Sequence, residues 1–266
     1  MSCWLNGTLL PADDARIDPA DRGYTLGDGV FETVRLAGGQ PAQLHRHLRR
    51  LRHGAALLEI PLPWSDETLA TAFVATAAAN GAEDGVARLT LSRGPAPRGV
   101  LPPALSRPTT LITAGAMPAI PRDVRAILCT VTRRNEASPL SRIKSLNYLD
   151  GVLARMEADR RDADDALLLN TRGMIAEASS ANVVVLDRGR LMTPPVTDGA
   201  LPGTMRELLI ERCDMIETPL RPEILFRAEA VFLSNSLGLR AVTSLDGRYL
   251  GTRDDVMAEL ERRVMV

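Results

Sequence analysis

The chain contains 266 residues, enough to bury a core in one large domain or in two domains of ordinary size. Its content of 45% hydrophobic and 24% charged residues is typical of a soluble globular protein. The formal net charge of −1 argues against a nucleic-acid-binding protein, because such proteins normally carry a strong basic excess.

The cysteines and the apolar segments exclude further classes. Cys3, Cys129 and Cys213 are far apart, odd in number and without a CxxC pair, which disfavours a disulfide framework and a zinc site and favours a reducing compartment. No apolar run approaches the length of a membrane span. The stretch MSCWLNGTLL lacks a basic segment followed by a long apolar one, so it does not indicate a signal peptide. We expect a cytoplasmic protein without membrane contact.

The first half of the sequence predicts a small mixed α/β domain over residues 1–116. The Asn-Gly pair in CWLNGTLL indicates a hairpin, and apolar residues at spacings of three and four from Leu44 to Leu58 indicate a helix. The remaining elements predicted here are strands at 29–36, 85–94 and 109–115 and an alanine-rich helix at 66–79. Residues 117–121, in a segment with two prolines, form the predicted linker.

The second half predicts a larger mixed α/β domain over residues 122–266. Its predicted strands are 126–132, 166–170, 182–187 and 230–236, and its predicted helices are 145–160 and 204–213. The fold class expected from both halves is therefore α/β, of the α+β kind, with a small N-terminal domain and a larger C-terminal one.

Lys144, in the stretch SRIKSLNYLD, is the only lysine among 32 basic side chains. Arginine replaces lysine in most surface roles, but its guanidinium stays protonated and cannot form a Schiff base with an aldehyde. A lysine amine can lose its proton when it is buried, and can then act as a nucleophile. The alternative explanation is a compositional bias towards arginine, with Lys144 as the one lysine retained by chance.

An anion site is indicated by ALPGTMRELLIE, in which Gly203 and Thr204 stand directly before an amphipathic helix. The first-turn N–H groups, the helix dipole and the Thr204 hydroxyl all favour a bound anion. The alternative is that this sequence forms an ordinary helix with Thr204 as its N-cap.

The segment HRHLRRLRH, residues 45–53, is the densest cationic stretch. Its leucines face the core, and Arg50 beside that stripe is the candidate for a bidentate contact with a phosphate dianion. Most of the other arginines fit a solvated face. His45 and His47 are two residues apart on a helix and so point to different faces, which disfavours a metal site.

Polar residues also gather where two predicted strands begin or end. Glu177 lies in a turn of small residues before the strand NVVVLD, where a carboxylate could accept a hydrogen bond from a protonated ring nitrogen. Ser234, Asn235 and Ser236 end the strand in FLSNSLG. Such clusters bind ligands, but they also make ordinary turns.

Three more residues are candidates for substrate contact. The loop SRGPAPRG carries Arg93 and Arg98, which would suit a substrate with carboxylates; a rigid surface loop is the alternative. Thr33 would face a ligand if the strand at 29–36 lines the site, and its hydroxyl could then assist proton transfer.

Six segments, in order, resemble the fold-type IV pyridoxal-phosphate (PLP) enzymes, the class IV aminotransferase family. They are DRGYTLGDGVFETVR, HLRRL, IKSLNYL, EASSANV, LPGT and SNSLG. The resemblance covers almost the whole chain and implies that PLP lies between two domains of a homodimer.

The resemblance also implies a role for each matching residue. Lys144 would form the Schiff base with PLP and move the substrate's proton, and Glu177 would contact the pyridine nitrogen. Arg50, Gly203-Thr204 and Ser236 would bind the phosphate. Tyr148 is assigned to the cofactor and Leu237 to the substrate.

The family includes aminotransferases for branched-chain and D-amino acids and for (R)-amines, and 4-amino-4-deoxychorismate lyase. SNSLG and the SRG…RG loop are similar to the lyases. Arg98-Gly99-Val100 lacks the histidine of the D-amino-acid pattern, and Val100 replaces the tyrosine that often follows in lyases. We expect a lyase that converts the small molecule 4-amino-4-deoxychorismate into 4-aminobenzoate and pyruvate. The alternative is an aminotransferase for D-amino acids, branched-chain amino acids or (R)-amines, and an inactive binding protein is a distant alternative.

Overall fold

The computed structural model describes residues 1–265, which form two compact units. Unit 1 contains residues 1–119 together with 143–147, and unit 2 contains residues 120–142 and those from 148 onward. Both units combine β-sheet with helices, as the predicted fold class requires. None of the helices among residues 1–265 is both long and apolar enough to cross a membrane.

Unit 1 is built on an antiparallel sheet whose strands differ in length. Among the described residues this sheet has six strands in the order β2-β1-β6-β5-β3-β4. The strands are β1 (Ser2–Leu5), β2 (Thr8–Pro11), β3 (Gly29–Ala37), β4 (Gln40–Pro41), β5 (Gly85–Ser92) and β6 (Thr109–Ala116), and the helices are α1 (Arg22–Leu26), α2 (Leu44–Leu57) and α3 (Asp66–Ala79).

The core of unit 1 follows from the alternation along β3. Val30, Val34 and Leu36 point to one side of the strand, where they pack with the apolar stripe of α2, including Leu48 and Leu51. At the N-terminus, Asn6 and Gly7 both have positive φ angles, 49° and 99°, so the predicted Asn-Gly hairpin joins β1 to β2.

Unit 2 contains a larger mixed sheet. Among the described residues its path is β12-β11-β10-β13-β14-β7-β8-β9, with β15 paired to β14. The strands are β7 (Asp123–Leu128), β8 (Asp165–Leu169), β9 (Ile175–Ala178), β10 (Asn182–Asp187), β11 (Arg190–Thr193), β12 (Ile216–Glu217), β13 (Ala230–Asn235), β14 (Gly238–Leu245) and β15 (Arg248–Tyr249), and the helices are α4 (Leu149–Arg160), α5 (Thr204–Cys213) and α6 (Asp254–Val264).

The central strands of unit 2 are buried on both faces. Val183 and Val185 of β10 join one apolar cluster, whereas Val184 and Leu186 of the same strand join another that includes α5 and α6. Such continuous apolar strands are typical of a sheet covered on both sides. The ends of these strands are therefore the places where polar side chains can reach a ligand.

The segment 143–147 differs from its sequence-based assignment to the C-terminal domain. Its residues pack with unit 1, because the Lys144 carbonyl accepts a hydrogen bond from Phe31 N at 2.9 Å and Leu146 N donates to Gly29 O at 2.9 Å. A β-bridge between Val30 and Ser145 completes this pairing. The predicted helix at 145–160 consequently begins at Leu149.

Most predicted elements are confirmed, and their ends are the main differences. The helices predicted at 66–79 and 204–213 and the strand at 182–187 have those bounds in the structure. The strand predicted at 126–132 lies at Asp123–Leu128. Strand β14 and helix α6 were not predicted.

Candidate active site

Lys144 lies beside β3, held there by the backbone pairing described above. Its side chain is half-buried, and Nζ lies 4.3 Å from the centroid of the Phe31 ring. The ammonium group therefore has a cation–π contact that keeps it against the strand. The backbone bonds of this segment fix the position of the Lys144 main chain beside β3.

Arg50 of α2 forms a buried ion pair with Glu32 of β3. Its Nε donates to Glu32 Oε1 at 2.8 Å and its Nη2 to Oε2 at 2.6 Å, and His47 Nδ1 lies 2.6 Å from Oε2. Burial alone raises the pKa of Glu32, but the attraction and hydrogen bonds of Arg50, with the contact of His47, lower that pKa to about 2. Glu32 thus fixes the direction of the guanidinium that was predicted to bind phosphate.

Thr33 belongs to the opposite face of β3 from Glu32. It shares that face with Phe31, two residues earlier, because successive side chains of a strand alternate. Thr33 is half-buried and pairs across the sheet with Arg88 of β5. The strand therefore carries the predicted hydroxyl on the same face as the ring that Lys144 contacts.

Arg93 and Arg98 have different environments within unit 1. Arg93 is buried, and its guanidinium donates to both carboxylate oxygens of Asp28 and to the carbonyl oxygens of Leu58 and Glu59. These contacts give Arg93 a structural role at the end of β5. Arg98 is exposed on the following loop.

Glu177 of β9 is anchored at both of its carboxylate oxygens within unit 2. Arg134 Nε lies 2.9 Å from Oε1, and Leu201 N donates to Oε2 at 2.9 Å. Arg134 is itself held by its bonds to the carbonyl oxygens of Gly199 and Ser141. The carboxylate therefore has one fixed orientation at the edge of the sheet.

The segment that precedes α5 has the close packing expected of a binding turn. Gly203 is the residue before the helix, and a Cβ at this position would lie 2.0 Å from Asn182 Oδ1. The Asn182 amide donates to the Leu201 carbonyl at 2.8 Å, which holds the turn against β10. Thr204 begins the helix and is buried. A side chain at position 203 would therefore require Asn182 or the turn to shift.

Ser236 and Leu237 form the tip of the hairpin between β13 and β14. Both are half-buried, and Leu237 N donates to Asn235 Oδ1 at 3.0 Å. Ser234, the residue of β13 directly before Asn235, is fully buried and pairs across the sheet with Asn182. The hairpin and the start of β10 are therefore neighbours at one end of the sheet of unit 2.

Tyr148 stands immediately before α4. Its carbonyl accepts from Val152 N at 3.0 Å. The helix comes close to the turn after β9 at Gly151, where a Cβ would lie 2.5 Å from the Ser179 carbonyl oxygen. The absence of a side chain at Gly151 therefore lets the first turn of α4, which follows Tyr148, approach the turn after β9.

The structure groups the predicted residues within each unit. In unit 1, Thr33 of β3 shares a face with Phe31, the ring that Lys144 contacts, whereas Arg50 contacts Glu32 on the opposite face of the same strand. In unit 2, Glu177 and the Gly203-Thr204 turn are joined through Leu201.

Sequence reasoning did not identify the ion-pair partners Glu32, His47 and Arg134 as site residues. A charged residue at an inward position of a strand, as Glu32 is between Val30 and Val34, was the available signal.

Comparison with known proteins identifies the family. The model of the amino-transferase class IV family matches residues 29–245. The chain belongs to the class IV aminotransferase family. Members of this family are PLP-dependent enzymes, so the predicted resemblance, the enzyme class and the cofactor are all confirmed.

The relatives of this family member catalyse more than one reaction. A D-alanine aminotransferase of Listeria innocua is 31% identical over 279 residues, covering 98% of this chain and 93% of the relative. The crystal structure of 4-amino-4-deoxychorismate lyase from Pseudomonas aeruginosa has a TM-score of 0.85 at 32% identity, with 98% of each chain covered. A hypothetical aminotransferase from Mycobacterium tuberculosis, in its PLP-bound form, has a TM-score of 0.87 at 27% identity, with 99% of each chain covered.

Proposed function

We propose that this family member is a PLP-dependent lyase that converts 4-amino-4-deoxychorismate into 4-aminobenzoate and pyruvate. The observation that carries the proposal is the placement of Thr33 on the face of β3 that also holds Phe31, the ring contacted by Lys144 Nζ. An elimination needs a group that accepts the substrate's proton and a second group that protonates the leaving enolpyruvyl unit. An amine and a hydroxyl on one face of a strand suit these two roles.

The residues present fit PLP by their chemistry. Lys144 offers the amine, Glu177 an anchored carboxylate, and the turn at Gly203 a surface from which a Cβ is excluded by Asn182 Oδ1. When bound, PLP supplies an aldehyde that attaches the substrate amine and a ring that accepts electrons. The rest of the chemistry belongs to the side chains.

Lys144 is proposed to move the proton. Its Nζ takes the proton from the carbon that bears the substrate's amine, and then acts as the acid in a later step. The backbone bonds that hold the segment to β3 keep the Lys144 main chain in place during this transfer. In the lyase, the bond between the ring carbon and the ether oxygen breaks. Enolpyruvate leaves with that oxygen and takes a proton on its methylene carbon to become pyruvate.

Glu177 is proposed to hold the cofactor's pyridine nitrogen in its protonated form. Its two oxygens are oriented by Arg134 and by Leu201 N. A carboxylate that needs no reorganisation gives a stronger contact than a mobile one.

Arg50, Gly203, Thr204 and Ser236 are proposed to bind the phosphate. The Arg50 guanidinium is directed by Glu32, and Thr204 contributes its hydroxyl at the start of an α-helix whose N–H groups favour an anion. Tyr148 is proposed to contact the cofactor as well.

For the substrate, we propose contacts from Leu237 and from Arg98. The proposed substrate is a dicarboxylate, and a bidentate arginine is the side chain that best matches a carboxylate. Arg98 is exposed and can therefore meet a ligand, whereas the donors of Arg93 are occupied by Asp28 and two carbonyl oxygens.

The second candidate is an aminotransferase for D-amino acids. The similarity to the D-alanine aminotransferase of Listeria innocua favours it. Lys144 would serve the same proton transfer, but the amine would be exchanged with a keto acid. Val100, where the D-amino-acid pattern has histidine, is the feature that sets this chain apart.

Two assays on the PLP-loaded protein separate these activities. One contains aminodeoxychorismate without a keto acid, and the other contains D-alanine with 2-oxoglutarate. We expect 4-aminobenzoate in the first. Glutamate in the second assay, without aminobenzoate in the first, would replace the lyase by the aminotransferase.

We also propose that the protein is a homodimer, as the sequence resemblance implies. Analytical ultracentrifugation of the PLP-loaded protein over a range of concentrations tests this. A sedimenting mass equal to that of one 28.8 kDa chain at every concentration would contradict it.

A further inference from the structure

The segment 97–107, which lies between β5 and β6, is hydrogen-bonded by a single side chain. Arg22 Nη1 donates to the Gly99 carbonyl oxygen and Nη2 donates to the Val100 carbonyl oxygen, each at 2.8 Å. In the part of the chain that the structure describes, these two bonds are the only hydrogen bonds of segment 97–107. The conformation of this segment therefore depends on Arg22.

Arg22 is itself fixed by an ion pair. Its side chain is only 5% exposed, and its Nε donates to Asp28 Oδ2 at 2.7 Å. Asp28 is also held by Arg93, which donates to both carboxylate oxygens. Burial alone raises the pKa of Asp28, but the hydrogen bonds and charges of Arg93 and Arg22 lower that pKa below its ordinary value. Asp28 is therefore ionised at neutral pH, and it orients the Arg22 guanidinium so that Nη1 and Nη2 reach segment 97–107.

Arg98, the residue proposed to contact a substrate carboxylate, directly precedes Gly99 in this segment. Its side chain is exposed and, among the described residues, has no hydrogen-bond or ion-pair partner of its own. Arg98 and Arg22 both line a cavity of about 550 Å³, which leaves room for a ligand beside them. The hydrogen bonds that place Arg98 are therefore those of the main chain that follows it, and Arg22 supplies them.

These two bonds bear on how strongly Arg98 can bind a ligand. A segment without hydrogen bonds samples many conformations, and a ligand that orders such a segment loses binding free energy. Because Arg22 holds two carbonyl groups next to Arg98, fewer conformations remain to be lost when Arg98 meets a carboxylate. The same bonds limit where the Arg98 guanidinium can reach, since its side chain starts from a main chain that is held in place.

We propose that Arg22 is a positioning residue for substrates that carry a carboxylate: it holds the main chain at Gly99 and Val100, from which Arg98 reaches the carboxylate. Arg22 acts through Arg98 and does not contact the substrate. The inference rests on the proposed function, because that proposal assigns Arg98 to the substrate.

Digestion with trypsin tests the two bonds from Arg22 without any substrate. Trypsin cleaves after arginine but not before proline, so Arg98–Gly99 is the one cleavable bond of segment 97–107, since Arg107 precedes Pro108. PLP-loaded wild type, Arg22→Gln, Arg22→Lys and Arg107→Gln are digested briefly, and mass spectrometry follows the new N-terminus at Gly99. Arg107→Gln is the matched control, because Arg107 is exposed in the same segment and its side chain has no partner among the described residues.

We expect cleavage after Arg98 to be about tenfold faster or more in Arg22→Gln, because two hydrogen bonds from a charged group are lost. Arg22→Lys keeps the charge beside Asp28 but lacks the planar fork that reaches three acceptors, so its rate should lie between the two. It also decides the question if Arg22→Gln does not fold. Arg107→Gln should behave as wild type, and cleavage of both Arg22 variants at the wild-type rate would overturn the inference.

Steady-state kinetics test the link between Arg22 and Arg98. Whichever of the two assays described above yields product is repeated with Arg22→Gln, Arg98→Gln and the double variant. We expect Arg22→Gln to raise KM for the carboxylate-bearing substrate about tenfold, with a smaller change in kcat, and to add little to the loss in the Arg98→Gln background. A merely structural role would give the same loss in both backgrounds.

Failure of this inference can be distinguished from failure of the proposed function. If the wild type yields no product in either assay, the proposed function fails and the role of Arg22 in substrate recognition fails with it. If the wild type is active but the losses simply add, or KM is unchanged in Arg22→Gln, the role of Arg22 alone is refuted.

Discussion

Arg134 Nε lies 2.9 Å from Glu177 Oε1, in an ion pair whose side chains are only 17% and 13% exposed. The bonds of Arg134 to the carbonyl oxygens of Gly199 and Ser141 make the arginine part of the turn structure of unit 2. Arg134 thus holds the Glu177 carboxylate, which is the group proposed to contact the cofactor. We infer that Arg134 is a positioning residue that acts through Glu177.

Replacement of Arg134 by glutamine should weaken PLP binding about tenfold or more, because Glu177 loses the charged partner that orients it. The dissociation constant for PLP, measured by equilibrium dialysis, checks this. Arg125→Gln is the control, since Arg125 forms an exposed pair with Asp164 and such pairs contribute about 1 kcal/mol or less. Equal PLP affinity of the two variants would contradict the role of Arg134.

The buried carboxylate of Glu32 should make stability depend on pH. Its pKa is about 2 in the folded chain against an ordinary value of 4.5. At pH values between these two, the unfolded chain binds the extra proton, so the stabilisation is complete above about pH 4.5 and is lost as the pH falls towards 2. At 1.36 kcal/mol per pKa unit, the whole effect is about 3 kcal/mol.

The comparison of wild type with Glu32→Gln isolates this effect. Urea unfolding at pH values from about 6 to about 3 gives the free energy of unfolding of each protein. The other carboxylates titrate in both proteins, so the difference between them should shrink as the pH falls. A difference that stays constant over this range would show that Glu32 is not the titrating group.

The sequence predicted the elements well where the apolar pattern was long and regular. The stripe of α2 and the buried strand β10 required only spacing and composition. Helix α6 was missed although Met257, Leu260 and Val264 have helical spacing, so the signal was present there. The helix predicted from residue 145 was wrong over residues 145–148. Pairing of that segment with β3 is a tertiary contact, which the local sequence pattern does not contain.

The candidate site was predicted unevenly for a similar reason. Lys144 and the turn at Gly203 could be found, because each has a chemical signature in its own segment. Arg134 contacts Glu177, which is far from it in sequence. Among the many arginines of this chain, composition alone could not distinguish this one.

Close packing at Gly203 gives a prediction about the phosphate turn. Gly203→Ala would place a Cβ 2.0 Å from Asn182 Oδ1, so Asn182 or the turn must shift. Because the Asn182 amide holds the turn through the Leu201 carbonyl, PLP affinity should fall at least tenfold. The effect on pyridoxal, which lacks the phosphate, should be smaller. Both dissociation constants are measured by absorbance titration.

Asn182→Ala offers a matched test of that clash. Combined with Gly203→Ala, it removes the oxygen that the new Cβ would meet, so the double variant should bind PLP better than Gly203→Ala alone. Losses that simply add would mean that the two residues do not interact through this contact.

Lys144→Arg should abolish covalent attachment of PLP while leaving the fold intact. The segment is held by the Lys144 carbonyl and by Leu146 N, which the substitution keeps, and a guanidinium preserves the positive charge near Phe31. Activity should fall by at least 10²–10⁴-fold, because the group that moves the proton is lost. After borohydride treatment, mass spectrometry should find no modified peptide from residues 141–150.

The double variant Arg142→Lys, Lys144→Arg is the control for this prediction. It keeps one lysine in the chain but moves it by two residues, to an exposed position. Covalent attachment should remain absent, since the reactive amine must lie where the pairing with β3 places it. Recovery of the borohydride-fixed adduct in the double variant would show that a lysine near this loop suffices and that the position fixed by β3 does not matter.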